Sequence, residues 1–120
     1  MKKYSIILVS LLLFWLAGCV QKSYKKTVVV TLSLLNRKDI NSVGIRGQGK
    51  PLSWDYDVEM RPVVKDSLYT TIITAVTGYK FAEIKFTMNG DFELKEQPNL
   101  RVVFSDNDTT HYNSIFDYNK

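Results

Sequence analysis

Short runs in which apolar and polar residues alternate follow one another from residue 27 onward, and they predict β-strands. Between residues 27 and 35, Val28, Val30, Leu32 and Leu34 recur with a period of two, which places them on one face of a strand. Residues 82–88 alternate in the same way. The remaining predicted strands lie at 42–47, 68–76, 92–94, 100–104 and, as an edge strand, 111–118.

The residues between these runs favour turns, and no stretch shows sustained helical periodicity. Asn89-Gly90 directly follows residues 82–88, and this dipeptide favours a two-residue type I′ hairpin because both of its central residues need positive φ. Short strands separated by turns predict an all-β fold, an antiparallel β-sandwich of about seven or eight strands. The predicted core comprises Val30, Leu32, Ile45, Leu52, Ile84, Phe86, Val102 and Phe104.

The first residues follow a different pattern. Met1-Lys2-Lys3 is basic, and an almost wholly apolar run of about 11 residues, Ile6 to Leu16, follows it. A helix that spans a bilayer needs roughly 20 apolar residues. A basic start followed by a shorter apolar run therefore predicts a cleaved secretory signal peptide over residues 1–18.

The end of that run, Leu16-Ala17-Gly18-Cys19, resembles the bacterial lipobox. The resemblance implies cleavage after Gly18, lipid on the Cys19 thiol and acylation of the new amino group, so that membrane lipid is a partner through acylated Cys19. The alternative is an ordinary signal peptide with a chance cysteine. Cys19 is the only cysteine, so no disulfide supports the fold. No Asp follows Cys19, which favours the outer membrane of the cell envelope over inner-membrane retention.

This division leaves a tether at residues 19–26 and a sandwich domain with a polar C-terminal tail at 27–120. The whole chain carries a formal charge of +4, and removal of Lys2 and Lys3 lowers it to 4 − 2 = +2. A nearly neutral domain argues against nucleic acid as a partner. The single histidine, His111, excludes a cluster of histidine metal ligands, and no nucleophile–base motif is present, so we expect neither an enzyme nor a cofactor.

Several segments carry a further resemblance, in a fixed order along the chain. They are Ile45 to Asp55 with its Pro51-Leu52-Ser53-Trp54-Asp55 ending, Val58-Glu59-Met60, Tyr69, Glu83-Ile84-Lys85-Phe86, Phe92-Glu93 and Pro98-Asn99-Leu100-Arg101. Together they resemble the starch-binding domains of carbohydrate-binding module family 20. The resemblance implies an immunoglobulin-like sandwich that binds starch or a similar glucan without catalysis.

The resemblance also implies a sugar site made of Trp54, Lys85, Phe92, Glu93 and Asn99. Flat aromatic rings stack on a sugar ring, and charged or amide groups bond its hydroxyls. Phe92 stands where the family has a second Trp. The alternative is a structural or protein-interaction lipoprotein, with a protein partner in the envelope and no sugar site. An exposed Trp54 beside Phe92 would favour the sugar site, and a buried Trp54 the alternative.

Overall fold

The computed structural model describes residues 22–35 and 37–117, and this part of the chain consists of strands and loops. The predicted signal peptide and Cys19 lie outside the described residues. No described segment forms a helix that could cross a membrane. The nine strands within the described ranges are β1 (Tyr24–Ser33), β2 (Val43–Gly47), β3 (Val58–Glu59), β4 (Arg61–Val64), β5 (Leu68–Thr77), β6 (Phe81–Met88), β7 (Asp91–Phe92), β8 (Leu100–Val103) and β9 (Thr109–Ile115).

The strands form two sheets, which confirms the predicted all-β sandwich. The first sheet has the order β4-β5-β1-β9, and the second has the order β3-β2-β6, with β7 and β8 both paired to β6. Two details differ from the expectation. The described part of the chain has nine strands because two of them, β3 and β4, were not predicted: β3 has only two residues, and all four residues of β4 are exposed, so neither shows an alternation of apolar and polar positions. The pairing is also not wholly antiparallel, since β9 lies parallel to β1 at the sheet edge.

The core lies between the sheets and is built from the inward positions of the strands. The four alternating residues of β1 and its extension, Val28, Val30, Leu32 and Leu34, are all buried, as the period of two predicts. Of the eight predicted core residues, Phe104 is partly buried against the core and the others are buried. Complete burial of such an aliphatic or aromatic side chain contributes about 1.5–3 kcal/mol.

The sandwich begins at Tyr24, three residues before the predicted domain start, because Lys25 and Lys26 belong to β1. The Lys26 ammonium donates hydrogen bonds to the carbonyl oxygens of Ser105 and Asn107, at 3.0 and 3.2 Å. The backbone N–H of Thr27 donates to the carbonyl of Asp108 at 2.8 Å. The start of β1 is therefore fixed to the loop before β9.

The hairpin between β6 and β7 has the turn that the sequence predicts. Asn89 and Gly90 have φ values of 53° and 83°, and Met88 pairs with Asp91 across the turn. The Asn89 side chain also holds the loop before β2: its Oδ1 accepts hydrogen bonds from the N–H groups of Asn41 and Ser42, at 2.7 and 3.1 Å. Its Nδ2 donates to the Asp39 carbonyl at 2.9 Å.

Candidate functional site

The outer face of the second sheet brings together several of the residues predicted to bind sugar. Arg46 on β2 lies opposite Lys85 on β6, and Phe92 on β7 lies opposite Thr87. These side chains point away from the core because the residues between them on β2 and β6, Ile45 and Phe86, are fully buried. A sugar site made of these residues and Trp54 therefore requires Trp54 to lie on the same outer face.

Asp57 fastens the loop that carries Trp54 to this face. Its Oδ1 accepts hydrogen bonds from Arg46 Nε at 2.7 Å and from Thr87 Oγ1 at 2.9 Å. A second nitrogen of the same guanidinium, Nη1, donates to the Trp54 carbonyl at 3.2 Å. Charged groups strengthen such bonds, and a guanidinium holds its donors in a rigid fork. The loop from Ser53 to Asp57 thus has a fixed position on the sheet.

Gly44 makes this close approach of the loop feasible. A Cβ atom at Gly44 would lie 2.7 Å from both Cβ and Cγ of Asp57 and 2.8 Å from Thr87 Oγ1. These separations are shorter than van der Waals contact, so any larger residue at position 44 would displace Asp57. Glycine at position 44 therefore supports the loop through its small size.

The loop presents two aromatic side chains to solvent. Trp54 is 37% exposed and Tyr56 is 59% exposed. Phe92 is half-buried, and the guanidinium carbon of Arg46 lies 5.0 Å from the centre of its ring, which is a cation–π distance. Arg46 therefore contacts both residues: its guanidinium donates to the backbone carbonyl of Trp54 and lies over the ring of Phe92.

Lys85 holds the segment that follows Phe92. Its ammonium donates to the carbonyl oxygens of Leu94 and Gln97, each at 3.0 Å. An ammonium has three donors, so these two bonds leave one for a ligand. Asn99 lies further along the face, where its Nδ2 donates to Glu83 Oε2 at 3.2 Å. Two of the polar residues predicted to bond sugar hydroxyls, Lys85 and Asn99, therefore already have protein partners.

Glu93 occupies a different place from the other four residues. It follows Phe92 and turns inward, and its side chain is 0% exposed. Neither carboxyl oxygen has a hydrogen-bond partner of good geometry among the described residues. In this conformation the carboxyl cannot contact a ligand on the outer face, so the part expected of it in hydroxyl recognition does not fit its position.

Burial also changes the ionisation of Glu93. Loss of hydration raises the pKa of its carboxyl from 4.5 to about 8, and the nearby negative charge of Asp117 contributes to this rise. The Lys85 ammonium and the backbone amide of Asp117 partly oppose it. A carboxyl with this pKa is mostly protonated and neutral at pH 7. Burial likewise raises the pKa of the neighbouring Tyr112 phenol, and the negative charge of ionised Glu93 contributes to this rise.

The residues that fix the site were not predicted as site residues. Gly44, Arg46, Asp57 and Thr87 hold the Trp54 loop, although none of them resembles a ligand-binding motif. One signal was available, since Gly44, Arg46 and Thr87 all occupy the outward positions of strands whose inward positions are apolar. Asp57 depends on a loop conformation that residue order does not determine.

Comparison with protein families and curated proteins identifies no relative, so the site is interpreted from its geometry. The sequence matches no protein-family model, and no curated protein matches it either. Within residues 22–35 and 37–117, His, Cys, Asp and Glu side chains do not form a group of three or more that could hold a metal ion.

Proposed function

We propose that the sandwich is a non-catalytic carbohydrate-binding module for starch- or glucan-type chains. The observation that carries the proposal is the presentation of Trp54. Its side chain is exposed, and its loop is fixed to the sheet through Asp57 and Arg46. A rigid aromatic face can stack on the apolar face of a sugar ring with little loss of conformational entropy.

The proposed site consists of Trp54 as the main platform, Tyr56 from the same loop and Phe92 as a second face. Lys85 contributes its remaining donor, and Asn99 lies at the far end of the surface. Glu93 is buried behind this surface and does not contact the sugar. A shallow surface of this kind buries few ligand atoms, so we expect weak affinity.

A binding assay on insoluble starch tests the proposal. The purified domain, residues 22–120, should be retained on starch and released by maltoheptaose, whereas cello- and xylo-oligosaccharides should compete poorly. Phe92→Trp should strengthen retention because it enlarges the stacked area. A folded domain that is retained by none of these glycans would refute the proposed function.

We further propose that this domain belongs to a lipoprotein of the bacterial cell envelope, placed in the outer membrane and anchored through acylated Cys19. The basis is the Leu16-Ala17-Gly18-Cys19 sequence after a basic and apolar leader. Two or more acyl chains give stable anchoring, whereas one chain binds only marginally.

The second candidate is a structural or protein-interaction lipoprotein with the same sandwich. Two observations favour it: the carboxyl of Glu93 is buried, and the ammonium of Lys85 already bonds two carbonyls. This candidate would be supported if the folded wild-type domain is not retained on starch and instead captures one envelope protein specifically through the Trp54 loop.

A further inference from the structure

A cavity opens between the two sheets at the end of the sandwich where β1 begins. Its volume is about 290 Å³, and none of the five residues predicted for the sugar site lines it. The space arises because two small inward residues, Ala75 on β5 and Ala82 on β6, come from opposite sheets. Larger apolar side chains, among them Val28, Ile73 and Val102, form its walls.

The lining and the size of the cavity fit an apolar chain. An engineered apolar cavity of roughly 150 Å³ stays dry and binds benzene. A cavity of about 290 Å³ has nearly twice that volume, so it has room for a hydrocarbon of about ten to twelve carbons. Each methylene buried in it raises affinity about fourfold.

A positively charged residue, Lys50, lies at the mouth of the cavity. Among the described residues that line the cavity, Lys50 is the only charged one, and it is exposed. In the described part of the chain, Lys50 makes neither a hydrogen bond nor an ion pair. Exposed apolar side chains of Val76, Tyr79 and Phe81 also line the opening. An apolar interior with a cation at its entrance is complementary to an anionic amphiphile.

We propose that this cavity binds a single-chain fatty acid, with its hydrocarbon tail between the sheets and its carboxylate beside Lys50. The ion pair lies at the surface, where a cation and a carboxylate gain modest attraction, so the tail supplies most of the affinity and the charge selects the headgroup. The proposal is independent of the sugar platform on the outer face, so that either can fail without the other.

Photolabelling of the full chain in phosphatidylcholine nanodiscs tests the proposal. The probe is dodecanoic acid with a diazirine on its terminal carbon, and mass spectrometry identifies the labelled peptides. We expect label on the walls of the cavity, at Ile73 and Val102, and competition by unlabelled dodecanoic acid. Undecyltrimethylammonium has the same alkyl tail as dodecanoic acid and the opposite charge, and it should compete at least threefold less well.

Two pairs of variants separate the cavity from the rest of the surface. Ala82→Phe fills the cavity and should lower the labelling at least tenfold, whereas Ile72→Phe, on the exposed face of β5, should leave it unchanged. Lys50→Glu should lower it about threefold or more, whereas Lys65→Glu, in the turn between β4 and β5, should not. Lys50 is exposed and outside the core, so its variant keeps the test valid even if Ala82→Phe does not fold.

Three results would overturn the proposal. The first is label spread over the outer surface with none at Ile73 or Val102, which would indicate contact with the membrane surface. The second is labelling that Ala82→Phe leaves unchanged in a folded protein. The third is equal competition by the anionic and cationic amphiphiles together with no effect of Lys50→Glu.

Discussion

Replacement of Glu93 by glutamine should remove most of the pH dependence of stability between pH 4.5 and 8. In the folded protein, burial raises the pKa of the Glu93 carboxyl from 4.5 to about 8. Below pH 4.5 the carboxyl is protonated in both the folded and unfolded states, so its ionisation takes nothing from the free energy of unfolding. As the pH rises from 4.5 to about 8, only the unfolded state ionises, so the free energy of unfolding falls.

The size of the effect follows from the two pKa values. A change of one pH unit in this window corresponds to about 1.36 kcal/mol, so the loss reaches about 3 kcal/mol at pH 7 and about 5 kcal/mol above pH 8. Above about pH 8 the folded state ionises as well, and the loss levels off. Such a loss is a large part of the stability of a domain of this size.

Urea denaturation of residues 22–120, followed by circular dichroism from pH 4 to pH 9, measures this effect. The wild-type protein should lose stability steadily up to about pH 8, and Glu93→Gln should show a much flatter profile. The variant still buries an amide at this position, so it should be less stable than the wild type at pH 4. Glu96→Gln, at an exposed position in the same segment, is the matched control and should retain the wild-type slope. An unchanged slope in Glu93→Gln would refute the assignment of the pH dependence to this carboxyl.

Three further predictions concern the loop, the hairpin and the anchor. Gly44→Ala should lower the free energy of unfolding, measured by urea denaturation, by about 1–3 kcal/mol because the new Cβ clashes with Asp57. The same substitution should cost less in an Asp57→Gly background, and equal costs in both backgrounds would contradict the clash. Asn89→Ala should lower the free energy of unfolding by about 1–3 kcal/mol, because it loses three hydrogen bonds and places alanine at a φ of 53°. Asn89→Gly loses the same bonds but should cost less, because glycine adopts positive φ without strain. A larger cost for glycine than for alanine would contradict this reasoning. Metabolic labelling with a fatty acid should mark the full chain and not Cys19→Ser, and label that survives the substitution would remove the lipid anchor.

Local patterns predict most of the fold because they record which face of each strand is buried. The alternation of Val28, Val30, Leu32 and Leu34 placed all four correctly on one face, and that face is buried. Asn89-Gly90 identified a hairpin from the backbone requirements of two residues. The parallel pairing of β1 with β9 could not be read in this way. It joins segments from opposite ends of the domain, and a period of two does not specify a distant partner.

The candidate site was harder to predict because its arrangement depends on contacts between loops and the sheet. The position of the loop that carries Trp54 depends on the hydrogen bonds of Asp57 with Arg46 and Thr87, which are distant in sequence. The inward position of Glu93 had a local signal: it directly follows the outward Phe92 at the end of β7, and continued alternation places the next residue inward. That alternation was a better guide to Glu93 than the resemblance to starch-binding domains.

The central claim is that the fixed, exposed Trp54 is a platform for a glucan, and a calorimetric titration with maltoheptaose tests it most directly. Wild-type residues 22–120 should bind maltoheptaose, and Trp54→Ala should abolish measurable binding while the circular dichroism spectrum stays unchanged. Tyr79→Ala, which removes an exposed aromatic ring from the loop between β5 and β6, should bind like the wild type. Binding of equal strength by wild type and Trp54→Ala would contradict the proposed site, and the absence of binding by folded wild-type protein would contradict the function itself.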